Sequence, residues 1–460
     1  MSENNVYEKV VKQDLCVGCG ICAGVCPNDK LKMKITSQGG YAPYLEDLCP
    51  PKCSLCLEVC PFEDHKEDED SIGKTLFGNL ETIRHVSETG YFLQTYVGYV
   101  SNPEHRWKSA SGGVATWFLK TLLEEGIVEH VICVTPNTDP NCLFKFEVIS
   151  EPEQILRSAG SAYYPVEISE CLKIVLKNPG RYAVIGLPCF IKGFRFAQMK
   201  IPKLKERILV CAGLTCGGLR TRGFAEALIR KMGLSPNEVN RIAFRVKEKD
   251  KPATNFSIVI YTEENSKSIE WMAFPWYPWM LGMFKLRACN FCDDIFAELA
   301  DITFMDAWLP EYSNDPAGTS LVITRSEIAD RLIQQGIIKG ALHLSPIPVN
   351  KVIESQLPLI KMKRQSLAER LWIEKRKGTP IPRKRVTPRK PSFLEKLRIE
   401  ADEAVRQQSF IALETQRQSG EKGLKIFMEN MERVLNRRKW LYRLKKENII
   451  AGIKRRIIGK

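Results

Sequence analysis

From about Tyr96 onward, the apolar positions of this chain alternate between short continuous runs and helical stripes. Val114, Trp117, Phe118 and Leu122 recur at helical spacing and the pattern stops at Gly126, which predicts a helix over 114–125 with a glycine beyond its end. Val131–Thr135 is a short run of buried-strand type. Arg181–Ile185 is another, followed by Gly186-Leu-Pro-Cys189 and a helical pattern from Phe190. Arg207–Gly213 repeats the form, with a Gly/Cys turn and a helix around Phe224–Met232. Strand, turn and helix in this alternation predict an α/β core with a mainly parallel sheet. Ligands of such a sheet belong at the carboxyl ends of its strands, where these turns fall.

The flanks read differently. Residues 63–92 are acidic and weakly patterned, and predict a linker with one short helix. From about Lys375 the text KRKGTPIPRKRVTPRKP predicts a disordered or polyproline-like linker, with two helices after it. Across 424–453, Leu424, Phe427, Met431, Val434, Leu441 and Leu444 fall at helical spacing beside Arg433, Arg437, Arg438, Lys439, Arg443, Lys445 and Lys446. Such a helix can lie on an anionic membrane surface, dock an acidic protein, or pack its apolar stripe on the body. Trp440 is its one interfacial aromatic of weight, which favours the body or a protein over a membrane.

Charge sharpens that picture. The net charge is +14, yet residues 361–460 hold 29 Lys and Arg against 11 Asp and Glu, so the remainder is slightly acidic. An anionic partner is therefore to be sought at the tail, though no nucleic-acid motif accompanies the charge. With 460 residues, 44% hydrophobic and 27% charged, the chain has the composition of a globular protein of two to four units. The polar start MSENNVYEKVV carries no apolar signal region and no run is long enough to span a bilayer, so a cytoplasmic protein is expected, with peripheral membrane contact an option at the tail.

Sixteen cysteines in such a chain point to metal or cluster ligation rather than disulfides. Eight lie within residues 16–60. Cys16-x2-Cys19-x2-Cys22-x3-Cys26-Pro27 is the bacterial ferredoxin run, and Cys49-x3-Cys53-x2-Cys56-x3-Cys60-Pro61 is a second with one extra residue in its first interval. Each triplet can hold three irons of a cubane, and the distal cysteine ligates the other cluster in two-cluster ferredoxins. Cys16, Cys19, Cys22 and Cys60 are thus assigned to one 4Fe–4S cluster, and Cys49, Cys53, Cys56 and Cys26 to the other. A zinc site would take paired cysteines instead of two triplets. Residues 1–62 therefore read as an α+β ferredoxin-like domain, and electron transfer is the expected business of the chain.

Two further features lie in the body. Ser109-Ala-Ser111-Gly112-Gly113 opens a helix, where free N–H groups and the dipole favour an anion; an ordinary serine cap with glycine for packing is the commoner use of such a loop. Cys189, Cys216 and the pair Cys289-x2-Cys292 could supply four thiolates to a third cubane, or could be buried apolar fillers. No Gly-x-Gly-x-x-Gly fingerprint follows a predicted strand, and none of the five histidines has the spacing of a metal hydrolase.

The stretches SASGGVATWFLKTLLEEG, RYAVIGLPCFIKGFR, LVCAGLTCGG, IAFRVK and LRACNFCDDIFAELADITFMDAW resemble, in order, the coenzyme F420 hydrogenase/dehydrogenase beta-subunit family over roughly 93–345. The resemblance divides the body into an N-terminal region, 93–175, and a C-terminal region, 176–345, ahead of the basic helical tail, 346–460. It implies FAD and a 4Fe–4S cluster in the body. Ser109, Ser111, Gly112 and Gly113 would belong to a flavin pyrophosphate loop, and Cys189, Cys289 and Cys292 to the cluster. The fourth ligand would be Cys216, with Cys211 competing. Asp301, Asp306 and Trp308 match the family's Ala-Asp-Ile…Asp-x-Trp segment and would line or brace the cofactor site, while Met305 departs from the usual glycine.

Two functions follow. One is a flavin- and iron–sulfur-dependent oxidoreductase passing electrons between ferredoxin-type clusters, FAD and an organic substrate, a deazaflavin or another hydride donor or acceptor, with ferredoxin or a similar protein as partner. The other is a non-catalytic relay subunit docked on a partner enzyme. No residue stands out as a catalytic acid or base. All twelve assigned ligands precede Asp306, so residues 380–460 are expected to be dispensable for the cofactors.

Overall fold

The computed structural model describes residues 4–50, 52–273, 279–420 and 424–444. At the N-terminus, β1 (Leu31–Ile35) and β2 (Tyr41–Leu45) form an antiparallel hairpin flanked by one-turn helices, Ile21–Gly24 and Leu55–Glu58, which carry Cys22 and Cys56. The acidic stretch after it does more than link. Asp68 caps the helix Glu69–Phe77 through a capping box with Ser71, and a hairpin of β3 (Arg84–Val86) and β4 (Gly90–Phe92) follows. Ile72, Phe77 and Phe92 are buried, and Glu69 pairs with Lys192 of the body at 3.1 Å.

The body is built on an eight-stranded sheet. Its strands are β5 (Gln94–Val100), β6 (His130–Pro136), β7 (Phe144–Ile149), β8 (Tyr182–Gly186) and β9 (Ile208–Leu214). A separate three-stranded sheet of β10 (Arg241–Val246), β11 (Ser257–Tyr261) and β12 (Ser266–Glu270) interrupts before β13 (Ile302–Asp306), β14 (Ser320–Thr324) and β15 (Leu342–Pro346) complete the large one. The order across it is β15-β5-β14-β13-β9-β8-β6-β7. β13, β9, β8 and β6 form a contiguous parallel block, and the outer pairings are antiparallel. β5 also runs in the direction of the block, so its carboxyl end shares an edge with those of β8, β9 and β13. The strands and helices read from the apolar pattern are present: Val114–Glu124, Pro188–Lys200 and Arg222–Lys231 are the three helices, with Gly126 at φ +62° beyond the first.

The tail departs from expectation. Helix Ser366–Lys377 is followed by an ordered strap, in which Ile381 and Val386 pack on the main core, and not by a disordered linker. The long helix Phe393–Ser419 and the helix Lys425–Arg443 then pack against each other. Val405, Ala412, Leu413, Phe427 and Met431 are buried in one cluster with Ile258 and Ile260 of β11 and Phe284. Of the three destinations for the apolar stripe, the body is the one occupied. Arg433, Arg437 and Lys439 remain exposed, and Lys445, Lys446 and the residues after them lie outside the described residues.

Candidate metal and cofactor sites

Glycines at positive φ, Gly18 (+72°) and Gly20 (+81°), fold the first cysteine run into a tight loop. Cys16, Cys19, Cys22 and Cys60 line one cavity with Val6, Val17, Val59 and Pro61. Burial, and after it the neighbouring Cys19 sulfur, pushes the Cys16 thiol up to about 12. Cys22 is raised by burial and then by Cys19, Cys16, Cys60 and Cys56. In the second set, Cys49 is raised by burial and then by Cys26 and Cys53, and Cys56 is raised to about 11 by burial, with Cys49 and Cys53 adding. The distal cysteine of each run therefore stands with the triplet of the other. The second set is nearer the surface, beside the exposed Leu48.

A third group forms at the carboxyl edge of the body. Cys189 opens the helix after β8, Cys216 lies two residues past β9, and Cys289 sits in the turn Arg287–Phe291 just before Cys292. Leu219 donates its N–H to Cys289 Sγ at 3.2 Å, and Cys216 donates its N–H to the Ile295 carbonyl at 3.1 Å. The Cys189 thiol is raised by burial and then by Cys292, Cys216, Cys289 and, from the N-terminal domain, Cys19. Cys211 is not of this group. It lies inside β9, its N–H donates to Asp301 Oδ2 at 2.8 Å, and its electrostatic neighbours are Arg195 and Asp301.

Two cations beside these thiols were not visible in the sequence. Lys363, 2% exposed, donates to Cys292 Sγ at 3.2 Å and to the Asp294 carbonyl at 2.6 Å. Among the described residues, Arg220, 3% exposed, donates to the carbonyls of Gly218, Leu219 and Trp279, and its Nε has no partner there. Among the described residues neither makes an ion pair with a carboxylate. A buried cation without a counter-ion is costly, and four thiolates around an anionic cluster would supply one. Among the described residues, no three His, Cys, Asp or Glu side chains close to the spacing of ligands on one metal ion. A single zinc draws its sulfurs to about 2.3 Å, whereas a cubane spreads them over four corners. The donor set suits the latter.

The loop at 109–113 lies on the same edge, but its polar groups point inward. Ser109 and Ser111 donate to the carbonyls of His105 and Thr319 (2.8 and 2.7 Å), and the Gly112 N–H is taken by Ser320 Oγ at 3.0 Å. A Cβ on Gly112 would stand 2.6 Å from the Gly98 carbonyl oxygen, so that glycine is required for packing alone. What the loop leaves open is the start of helix Val114–Glu124, which has no side-chain cap. Ala110 also borders a cavity lined by Arg245, Lys247 and Lys251. Lys247 Nζ ties the loop down through the carbonyls of Arg106, Ser111 and Ala317. Asp306 accepts two 2.9 Å bonds from Arg245, whose guanidinium faces Trp308 and Phe256. Asp301 is elsewhere, at the amino end of β13. There Arg195 of the Cys189-bearing helix donates to it at 2.9 Å, so its contacts are those of a brace.

Residues 95–173 and 180–350 match the models for the N-terminal and C-terminal parts of the coenzyme F420 hydrogenase/dehydrogenase beta subunit, and residues 9–29 match the 4Fe-4S binding domain. The coenzyme F420-dependent sulfite reductase of Methanocaldococcus jannaschii is 24% identical over 377 residues, 77% of this chain and 50% of that protein; this chain thus spans half the length of that relative. One of the subunits of the F(420)H(2) dehydrogenase of Methanosarcina mazei is 20% identical over 370 residues, covering 78% of this chain and 92% of that one. A ferredoxin of Pyrobaculum islandicum is 36% identical over 62 residues, 13% of this chain and 54% of that protein. A chain of the F420-reducing [NiFe] hydrogenase complex of Methanosarcina barkeri aligns with a TM-score of 0.49 at 19% identity, over 63% of this chain and 96% of that one. With both halves of the family's subunit matched in order behind a 4Fe–4S binding domain, the chain belongs to the coenzyme F420 hydrogenase/dehydrogenase beta-subunit family.

Proposed function

We propose that this chain is an iron–sulfur flavoprotein oxidoreductase, which carries electrons between an external protein of ferredoxin type and an organic hydride donor or acceptor such as a deazaflavin. In this reading Cys49, Cys53, Cys56 and Cys26 hold an outer 4Fe–4S cluster, Cys16, Cys19, Cys22 and Cys60 a middle one, and Cys189, Cys216, Cys289 and Cys292 a core one. When bound, the clusters supply one-electron transfer, and FAD supplies the exchange between single electrons and a hydride. The observation that carries the reading is the continuity of the thiols: Cys19, Cys22, Cys56 and Cys289 are buried in one core, with Cys16, Cys26, Cys60, Cys189 and Cys292 packed against it.

For FAD, the favoured seat is the carboxyl edge beside residues 109–113. Val114 and Ala115, at the uncapped helix start, would offer N–H groups to a pyrophosphate. Arg245 and Lys247 would add positive charge, with Arg245 aimed by Asp306. Ser109, Ser111, Gly112 and Gly113 would shape this seat through the backbone, and Asp301 would brace the helix behind it. The apolar stripe of the tail is occupied by the body, while Arg433, Arg437 and Lys439 stay exposed, so a docked relay subunit remains the second reading and would use that basic face.

Anaerobically purified protein should hold about twelve irons, by the ligand count of three cubanes, and should release FAD on acid precipitation. Ala110→Asp, placing a carboxylate at the cationic cavity, should lower FAD content and leave iron unchanged. Iron near eight would remove the core cluster; a full iron complement with no flavin in any preparation would remove the flavoprotein reading.

A further inference from the structure

The three thiol groups sit in different electrostatic settings, and the contrast has a direction. Around the middle group, the charged groups that act on the thiols include carboxylates, Asp14 on Cys16, Glu167 on Cys19 and Glu63 on Cys60, each facing a cation farther from the sulfurs: Arg406 at 3.9 Å from Asp14, Lys173 near Glu167 and Lys9 near Glu63. Around the core group they include buried cations. Lys363 acts on Cys292 and Cys216, Lys384 on Cys292, and Arg220 on Cys289 and Cys216. Asp293 and Asp294 oppose them at Cys292, but Lys384 and Arg385 stand 3.5 Å from the Asp293 carboxylate and offset its charge. Lys363 acts on Cys292, Cys216 and Cys289 ahead of the Asp294 carboxylate, and among the described residues Arg220 faces Cys289 and Cys216 and pairs with no carboxylate, so both charges act first on the sulfurs. The hydrogen bonds differ in the same sense. Cys16 Sγ accepts from the Gly18 N–H at 3.3 Å, whereas Cys292 Sγ accepts from an ammonium at 3.2 Å.

We infer that Lys363, assisted by Arg220, sets the core cluster at a higher reduction potential than the Cys16/Cys19/Cys22/Cys60 cluster, so that electrons run inward from the N-terminal domain to the body. The inference rests on the three-cluster reading above and adds the direction of flow and the residues that impose it. Adding an electron to a four-thiolate cluster adds negative charge in a dry site. A nearby cation and a donated hydrogen bond both stabilise that form, and a nearby carboxylate opposes it. The step is one electron leaving the middle cluster, which is oxidised, and entering the core cluster, which is reduced. A reduced protein of ferredoxin class supplies it, and the organic hydride acceptor removes electrons in pairs through FAD.

The test is a redox titration of the whole protein followed by electron paramagnetic resonance, after iron analysis has established that three clusters are present. Absence of the third cluster overturns the three-cluster reading and this inference with it; the remaining outcomes bear on the inference alone. In the wild type, the core signal, identified by its loss in Cys289→Ser, should reduce at a higher potential than the middle one. Lys363→Met should move the core midpoint down by at least a tenfold change in reduced fraction at fixed potential, which is 59 mV for a one-electron couple. The other two midpoints should stay in place, and Lys363→Arg should restore most of the shift. Should Lys363→Met fail to assemble the cluster, Arg220→Met gives the same reading from the opposite side, with a downward shift expected. A core midpoint at or below the middle one, or no shift in any charge-removing variant, overturns the inference.

Discussion

The sharpest test of the fold lies in the strap at 380–390, where two arginines two residues apart have opposite settings. Arg385 is 7% exposed and donates to Glu298 through both terminal nitrogens, at 2.6 and 2.5 Å; Glu298 itself is 2% exposed. Arg383 is 58% exposed and meets Asp64 at 3.7 Å. Arg385→Met leaves Glu298 to Arg364, at 3.1 Å, and takes one of two cations from Asp293. Breaking a buried pair by removing one partner costs about 3–5 kcal/mol, and the surviving Arg364 contact keeps the expectation near the lower end. About 3 kcal/mol is roughly a hundredfold in the folded-to-unfolded ratio. With a urea slope of about 3 kcal/mol per M, the midpoint falls by about 1 M. Arg383→Met removes an exposed pair and should cost about 0–1 kcal/mol, while the Arg383 N–H to Asp64 bond at 2.9 Å survives. Anaerobic urea unfolding of the two variants, followed by tryptophan fluorescence, compares them directly. Equal, small shifts for both would mean that the strap is a solvated linker after all.

Four other outcomes are expected. Cys26→Ser should abolish the same paramagnetic signal as Cys53→Ser, and Cys60→Ser the signal lost in Cys19→Ser; pairing within each run instead would reverse the exchange of distal ligands. Cys211→Ala should keep about twelve irons while Cys216→Ala drops to about eight, by the counting of cubane ligands, since Cys211 is enclosed in β9. Truncation at residue 379 should yield insoluble protein, because it uncovers the surfaces that Val405, Leu413, Phe427 and Met431 bury; soluble, iron-loaded truncated protein would contradict the packing. Gly112→Ala should prevent accumulation of folded protein, whether or not flavin is supplied, because its Cβ meets the Gly98 carbonyl oxygen at 2.6 Å.

What could be read from the sequence was whatever local pattern decides. The runs at 131–135, 181–185 and 207–213 became β6, β8 and β9 because a strand buried on both faces has no choice but to be apolar throughout. The antiparallel edges were not legible, since nothing local says which neighbour a strand takes. Spacing alone could not separate Cys211 from Cys216; the end of β9 at Leu214 does, by leaving one inside the sheet and the other beyond its edge. That the strap is packed on the body, and not free, is hidden in the sequence for a physical reason. KRKGTPIPRKRVTPRKP has the composition of a solvated linker, and the acids that neutralise Lys384 and Arg385 come from Glu69, Asp293 and Glu298, far away in the chain. Lys363 looks like any lysine of a basic tail until the fold closes over it.

A relay needs its stations at fixed separation, and the join between the N-terminal domain and the body is made for that. Gly193 lets Ile21 approach so closely that a Cβ there would stand 2.6 Å from the isoleucine's Cδ1. Gly24 does the same against Leu172 at 2.7 Å. The Ile168 N–H donates to the Cys19 carbonyl at 3.0 Å, so the loop carrying Cys19 is tied directly to the body. Ile21, Ala23, Val59 and Phe62 share one core with Leu172, Phe190 and Phe194. A domain tethered by a flexible linker would keep its own core and meet the body through a smaller, more polar surface. Here the apolar contact is continuous, and Cys19 and Cys189 both pack in it. The acidic segment at 63–92 agrees, because its helix is pinned by Glu69 to Lys192, next to Gly193, which packs on Ile21 and Pro61. The N-terminal domain is thus part of the same solid as the sheet, and the distance from the middle thiols to the core thiols is set by packing.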